Sequence, residues 1–135
     1  MTNKPPVIAL IDDDDIFQLT ASRTLKSTQL PDKILQFENG DDALVFLKNN
    51  SESPELLPDF IFLDINMPVV DGWMFLEDYS LIRNSLTKKN ITIYMVSSSI
   101  DPRDVNRALS NPFIKEYIVK PVTREKFIEL LSTAA

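Results

Sequence analysis

Five short apolar runs recur along the chain: Val7–Ile11, Ile34–Phe37, Phe60–Leu63, Ile91–Val96 and Tyr117–Val119. Most are continuous rather than alternating, and they are rich in Ile, Val and Phe. A strand with one face in water alternates apolar and polar residues; a strand covered on both faces does not. The runs therefore predict strands of a parallel sheet with helices on each side. Between them lie segments with helical spacing: Phe17, Ala21, Thr24 and Leu25; then Ala43, Leu44 and Leu47; then Phe75, Leu76, Tyr79 and Ile82 or Arg83; then Val105, Ala108 and Leu109; finally Phe127, Leu130 and Leu131. Asp101 before Pro102 reads as an N-cap followed by proline at the first helical position, and Thr123 can cap the last helix, with Glu125 near its positive end. The order is βαβαβαβαβα, an α/β layer fold with right-handed crossovers. Asn49–Pro58 and Asn84–Asn90 read as surface loops. The 135 residues make one domain, 1–135, with no repeat and no linker.

Composition removes several chemistries. The chain has no cysteine and no histidine. A disulfide scaffold, a zinc-finger site, a thiol nucleophile and a histidine base are all excluded. Its two glycines, Gly40 and Gly72, cannot build either of the common glycine-rich nucleotide loops. A net charge of −6 argues against binding a nucleic-acid backbone or an anionic membrane, and suits a cation or a basic partner. No apolar stretch approaches the roughly 20 residues of a membrane span, and Val7–Ile11 is too short for a signal-peptide core. The expectation is a cytoplasmic protein.

The first strand runs into Asp12, Asp13, Asp14 and Asp15. Adjacent carboxylates repel, so such a run costs stability unless something compensates. Alone it reads as a solvated turn with a helix cap. A calcium loop of the EF-hand type needs glycine at its sixth position, where Phe17 stands. The third strand runs into Asp64, the fourth into Ser97-Ser98-Ser99 and the fifth into Lys120-Pro121. Taken singly, each has a plain reading as a cap, a polar loop or a surface lysine. Ligands of open α/β sheets bind at the carboxyl ends of strands. If the first and third strands are neighbours, Asp12, Asp13 and Asp64 converge, and oxygen-only ligands suit Mg²⁺.

The joint pattern is specific. Leu10-Ile11-Asp12-Asp13, Leu63-Asp64-Ile65-Asn66-Met67-Pro68 with Asp71-Gly72, Met95-Val96-Ser97 and Tyr117-Ile118-Val119-Lys120-Pro121 follow one another in order. From about Pro6 to Leu131 the chain resembles the receiver domain of two-component response regulators. The resemblance implies a flavodoxin-like (βα)5 doubly wound fold, its five-stranded parallel sheet in the order 2-1-3-4-5. It implies that Asp64 is the phosphoacceptor and that Mg²⁺ is bound by Asp12, Asp13, Asp64 and the backbone carbonyl of Asn66. Ser97 is then the switch hydroxyl, Lys120 the phosphoryl-binding lysine, Tyr117 the aromatic switch and Pro121 a cis-peptide candidate.

The implied chemistry is nucleophilic. Asp64 takes a phosphoryl group from a histidine on a partner, a sensor histidine kinase or a histidine phosphotransfer protein, because this chain has no histidine. It is a phosphoacceptor signalling domain rather than an enzyme, with self-catalysed loss of the group expected. The fourth helix, fifth strand and fifth helix would then present an altered face to a downstream protein. That face carries Arg103, Arg107, Lys115, Glu116, Arg124 and Lys126. Two features depart from the family. Asn111-Pro112-Phe113-Ile114-Lys115-Glu116 stands where many receivers have a small glycine-containing turn, and Ser98 where a small residue such as alanine is usual. Asn66 and Ser99 flank the expected path of hydrolytic water. The chain ends at Ala135, so a stand-alone receiver is expected, with no attached output domain. The competing reading is a Mg²⁺-dependent aspartate-nucleophile phosphohydrolase. Those enzymes usually carry a second aspartate two residues after the nucleophile, where this chain has Asn66. A degenerate receiver and a flavodoxin fit less well: the site residues are all retained, and no phosphate loop follows the first strand.

Overall fold

The computed structural model describes residues 4–67, 70–86 and 89–132. Five parallel strands form one sheet: β1 (Val7–Ile11), β2 (Lys33–Phe37), β3 (Phe60–Asp64), β4 (Thr92–Ser97) and β5 (Ile114–Val119). Their spatial order is β2-β1-β3-β4-β5. The helices are α1 (Asp15–Thr28), α2 (Gly40–Asn49), α3 (Gly72–Ile82), α4 (Pro102–Leu109) and α5 (Arg124–Ser132), with a 3-10 turn at Arg83–Leu86. The expected doubly wound architecture and strand order are both present. No described helix is long and apolar enough to cross a membrane.

The unbroken apolar runs have a direct cause. Successive residues of a strand point to opposite faces. Ile8 and Leu10 of β1 join Phe17, Ala21 and Leu25 of α1 and Phe127 and Leu130 of α5 in one core. Ala9 and Ile11, one residue out of step, join Ala43, Leu44 and Leu47 of α2 and Phe75, Leu76 and Tyr79 of α3 in the other. Because each face of the central strands is dry, their buried side chains are apolar until the strand ends, save the Tyr94 hydroxyl, which donates to the Leu130 carbonyl at 3.1 Å.

Every α-helix begins on a side-chain oxygen. Asp14, Asn39, Asp71, Asp101 and Thr123 each accept a backbone N–H from the first turn that follows. Such caps satisfy donors that the helix itself leaves open, typically at about 1 kcal/mol each. The Asp101-Pro102 and Thr123 starts fall where the sequence places them.

Three expectations need correction. The loop after α2 is not wholly a surface feature: Leu57 is 0% exposed and belongs to the core beside Ile61 and Leu47. Leu109 is 58% exposed, because α4 is only eight residues long and buries Ala108 alone. The fifth strand starts at Ile114 rather than Tyr117. Asn111 Oδ1 accepts the Phe113 N–H at 2.9 Å, which closes the turn without glycine. The pairing then slips: Ile93 faces Ile114 and Tyr94 faces Glu116, so Lys115 is the extra residue of a bulge. Alternation broken at a bulge hides the start of a strand from a period-2 reading. Of the expected loop at Asn84–Asn90, Thr87 and Lys88 lie outside the described residues, and Leu86 is buried.

The two neighbouring leucines of that α2–β3 connection make a test. Leu56 is 42% exposed and Leu57 fully buried. Leu57→Ala is expected to cost roughly 2–5 kcal/mol in urea unfolding, and Leu56→Ala less than about 0.5 kcal/mol. Equal losses would contradict the packing.

Candidate functional site

The sheet register brings the site together. Ile11 pairs with Leu63, so the next residues, Asp12 and Asp64, stand at the same level on adjacent strands. Asp64 pairs with Val96, and Ser97 with Val119, so Ser97 and Lys120 follow on the next two strands. The Lys120 N–H donates to the Ser97 carbonyl at 2.9 Å. The Lys120–Pro121 peptide is cis.

Asp12, Asp13 and Asp64 each offer a carboxylate oxygen within 4.8 Å of the others. Asp12 and Asp64 are buried, while Asp13 is exposed. The Lys120 ammonium lies 2.8 Å from Asp12 Oδ2 and 3.8 Å from Asp64 Oδ1. The shorter contact is a tight ion pair, and apart from Lys120 the buried Asp12 Oδ2 meets no donor. Its other oxygen, Oδ1, accepts the Asp14 N–H at 2.9 Å. One lysine is thus set against three clustered carboxylates.

Both buried acids respond. Burial pushes Asp64 up to about 7, helped by the negative charges of Asp12 and Asp13 and opposed by Lys120. Burial also raises Asp12, against the pull of Lys120 and the Asp14 N–H. Two buried carboxylates beside a third, exposed one are a donor set made only of oxygen. It fits a hard divalent cation of the Mg²⁺ kind.

The remaining expected residues are less closely gathered. Ser97 is fully buried, and its Oγ accepts the Ser99 N–H at 3.1 Å. Tyr117 is half-buried, and its hydroxyl donates to the Ser99 carbonyl at 2.8 Å. Ser99 Oγ in turn donates to Asp104 Oδ2 of α4 at 2.7 Å. Asn66 is exposed, two residues beyond Asp64. Pro68, part of the sequence pattern around Asp64, lies outside the described residues.

Three contributors escaped the sequence reading. The Gln18 amide nitrogen lies 3.1, 3.0 and 3.1 Å from the carbonyls of Leu10, Asp12 and Phe37, tying α1 to the ends of β1 and β2. A polar residue on a helix stripe carries no signal of such a role. Gly72 donates its N–H to the Ile65 carbonyl at 2.8 Å. A Cβ there would strike the Asp64 carbonyl oxygen and come within 2.9 Å of Ile65 Cα. Its place in the sequence pattern was visible, but not this close approach to the backbone of Asp64. Phe17 was assigned to the core stripe, and its ring lies 4.6 Å from the Lys120 ammonium.

The carboxylate cluster makes stability depend on pH in metal-free protein. The pKa of Asp64 is raised on folding from 3.8 to about 7. Below the lower value both states hold the proton and Asp64 contributes no penalty. As pH rises from there to about 7, the unfolded chain loses the proton first and folding stability falls. Asp64→Asn is expected to raise the Tm of metal-free protein on the order of 5 °C at pH 8 and by less than about 1 °C at pH 4. Thermal melts at the two pH values check this, and equal effects at both would contradict it.

A family model described as the response regulator receiver domain matches residues 8–132. A crystal structure of a two-component response regulator from Cytophaga hutchinsonii superposes with a TM-score of 0.84 at 29% identity, covering 96% of each chain. A probable methanogenesis regulatory protein, FilR2, of Methanothrix harundinacea is 27% identical over 90% of this chain and 76% of its own length. The sensor histidine kinase CheAY of Helicobacter pylori is 29% identical over 88% of this chain, which spans 14% of that protein.

Proposed function

This chain belongs to the response regulator receiver domain family, and from that premise we propose that it accepts a phosphoryl group on Asp64 from a histidine of a partner protein. The observation that carries the reading is the convergence of Asp12, Asp13 and Asp64 with the Lys120 ammonium 3.8 Å from Asp64 Oδ1. A nucleophile, an acidic cation site and a positive charge for phosphoryl oxygens meet at the carboxyl ends of the strands.

The reaction is a displacement at phosphorus. An Asp64 carboxylate oxygen forms the new P–O bond, and the donor's P–N bond breaks with its electron pair returning to the imidazole. The product is an acyl phosphate. Charge in the transition state spreads over three equatorial oxygens. Lys120 faces that charge as a compact cation on a flexible stem. Asp12, Asp13, Asp64 and the Asn66 carbonyl would hold Mg²⁺, which supplies further positive charge at those oxygens and favours the ionised form of Asp64. Hydrolysis of the acyl phosphate in the same site would reset it.

Readout follows from the hydroxyl network. Ser97 turning toward a phosphoryl oxygen would give up its bond from the Ser99 N–H. Ser99 also holds Tyr117 through its carbonyl and Asp104 of α4 through its hydroxyl. A shift at Ser97 is therefore passed to β5 and α4 together. The face of α4, β5 and α5 is the proposed surface for a downstream protein, and a cytoplasmic setting accords with the role. The phosphohydrolase alternative finds no support, because the matching family model is that of the receiver domain and Asn66 stands in place of the second aspartate.

Incubation with Mg²⁺ and acetyl phosphate, followed by intact-mass measurement, tests the proposal. Wild type is expected to gain one phosphoryl group, EDTA to prevent the gain, and Asp64→Asn to abolish it. Lys120→Ala is expected to slow the gain roughly 100-fold or more. Full labelling of Asp64→Asn would assign the acceptor elsewhere.

A further inference from the structure

We propose that Phe17 is a positioning residue for Lys120, its ring face holding the ammonium at the carboxylate end of Asp64. The inference deepens the phosphoacceptor reading and rests on it.

Lys120 follows the last residue of β5 and reaches its site through a four-carbon stem with many rotamers. Its side chain is only 14% exposed, so little water restrains or solvates the ammonium. Its ion pair with Asp12 Oδ2 at 2.8 Å draws the ammonium toward β1, and Asp64 Oδ1 lies farther off at 3.8 Å. The Phe17 ring centroid at 4.6 Å is within the roughly 6 Å at which a ring quadrupole attracts a cation. That attraction strengthens when the pair is desolvated, and Phe17 is itself buried.

The ring is placed by the acidic run. Asp14 Oδ1 accepts the N–H of Ile16 at 3.0 Å and of Phe17 at 3.2 Å, which starts α1. Asp12 and Asp13 join the carboxylate cluster, and Asp14 sets the helix turn that carries Phe17. The plain alternative is a core aromatic, since Phe17 also packs with Ala21 and Leu25. Packing alone would be served by leucine. Leucine, however, has no quadrupole for the ammonium.

The contact matters most when the carboxylates are engaged. A cation shared by Asp12, Asp13 and Asp64 draws on the same negative charge that attracts Lys120. The ring's attraction is not reduced in that way. Phe17 then keeps the ammonium near Asp64 when the phosphoryl group arrives.

Two measurements test this. In the proton NMR spectrum of metal-free protein, the Lys120 ε-methylene is expected upfield of the other lysines through the ring current of Phe17. Phe17→Leu is expected to remove that shift. With acetyl phosphate and Mg²⁺, the Asp64 oxygen–phosphorus bond forms as the acetyl oxygen–phosphorus bond breaks and acetate leaves with the electron pair. Phe17→Leu is expected to lower the maximal rate of this transfer roughly ten-fold at unchanged apparent affinity for acetyl phosphate, and Phe17→Tyr to restore most of it. A folded Phe17→Leu protein that transfers at the wild-type rate would overturn the proposal, as would a Lys120 ε-methylene without an upfield shift in wild type. Wild type that takes up no phosphoryl group at all would overturn the phosphoacceptor reading, and with it the role given to Phe17; the ring-current shift would then still report whether the contact exists.

Discussion

Three carboxylates forced into one another's reach, with one lysine against them, set the terms for everything at this end of the molecule. In water such groups would separate. Here the parallel pairing of β1 with β3 sets Asp12 beside Asp64, and the dry faces of both strands keep water from screening them. The chain carries this unfavourable charge because the two cores on either side of the sheet hold the strands in register. Burial, with the charges of Asp12 and Asp13 added to it, raises Asp64 out of the ordinary carboxylate range, and the same crowding of negative charge suits the pocket to a cation. A binding site and a local instability are the same physical fact.

The scaffold around the cluster works by fixing backbone rather than by adding charge. Gln18 ties the end of β1 to the end of β2 and to α1. Gly72 allows α3 to start directly against the backbone of Asp64, where any side chain would push the strand end away. Asp14 caps α1 and so separates the run of four aspartates into a pair at the pocket, a cap and a first-turn residue favoured by the helix dipole. The repulsion within the run is relieved by giving its members different partners.

On the other side of the pocket the connections loosen. α4 has eight residues and buries only Ala108, so few apolar contacts hold it. Polar and ring contacts hold it instead: the Ser99–Asp104 bond, and Arg107 over the Trp73 ring at 4.3 Å. An element held by a few specific contacts shifts more readily than one held by a core. Ser97, fully buried at the end of β4, lies between the carboxylate cluster and these contacts of α4.

Much of this was legible in the chain itself. Continuous apolar runs separated by helical stripes determine a covered parallel sheet, because only strands dry on both faces can dispense with alternation. The residue types at the run ends determine the chemistry available, since no histidine or cysteine offers another. The joint order of acidic pair, aspartate, hydroxyl and lysine pointed to the family. What the sequence could not decide were matters of approach and angle. It placed the start of the fifth strand three residues late, because the bulge at Lys115 breaks the alternation. It treated Leu57 as loop, since burial there comes from a distant helix and strand rather than from its neighbours. It read Phe17 as core and nothing in Gln18. Whether a ring lies over an ammonium, or an amide spans three carbonyls, depends on side chains from separate elements meeting to within an ångström, and only the packed tertiary structure sets that distance.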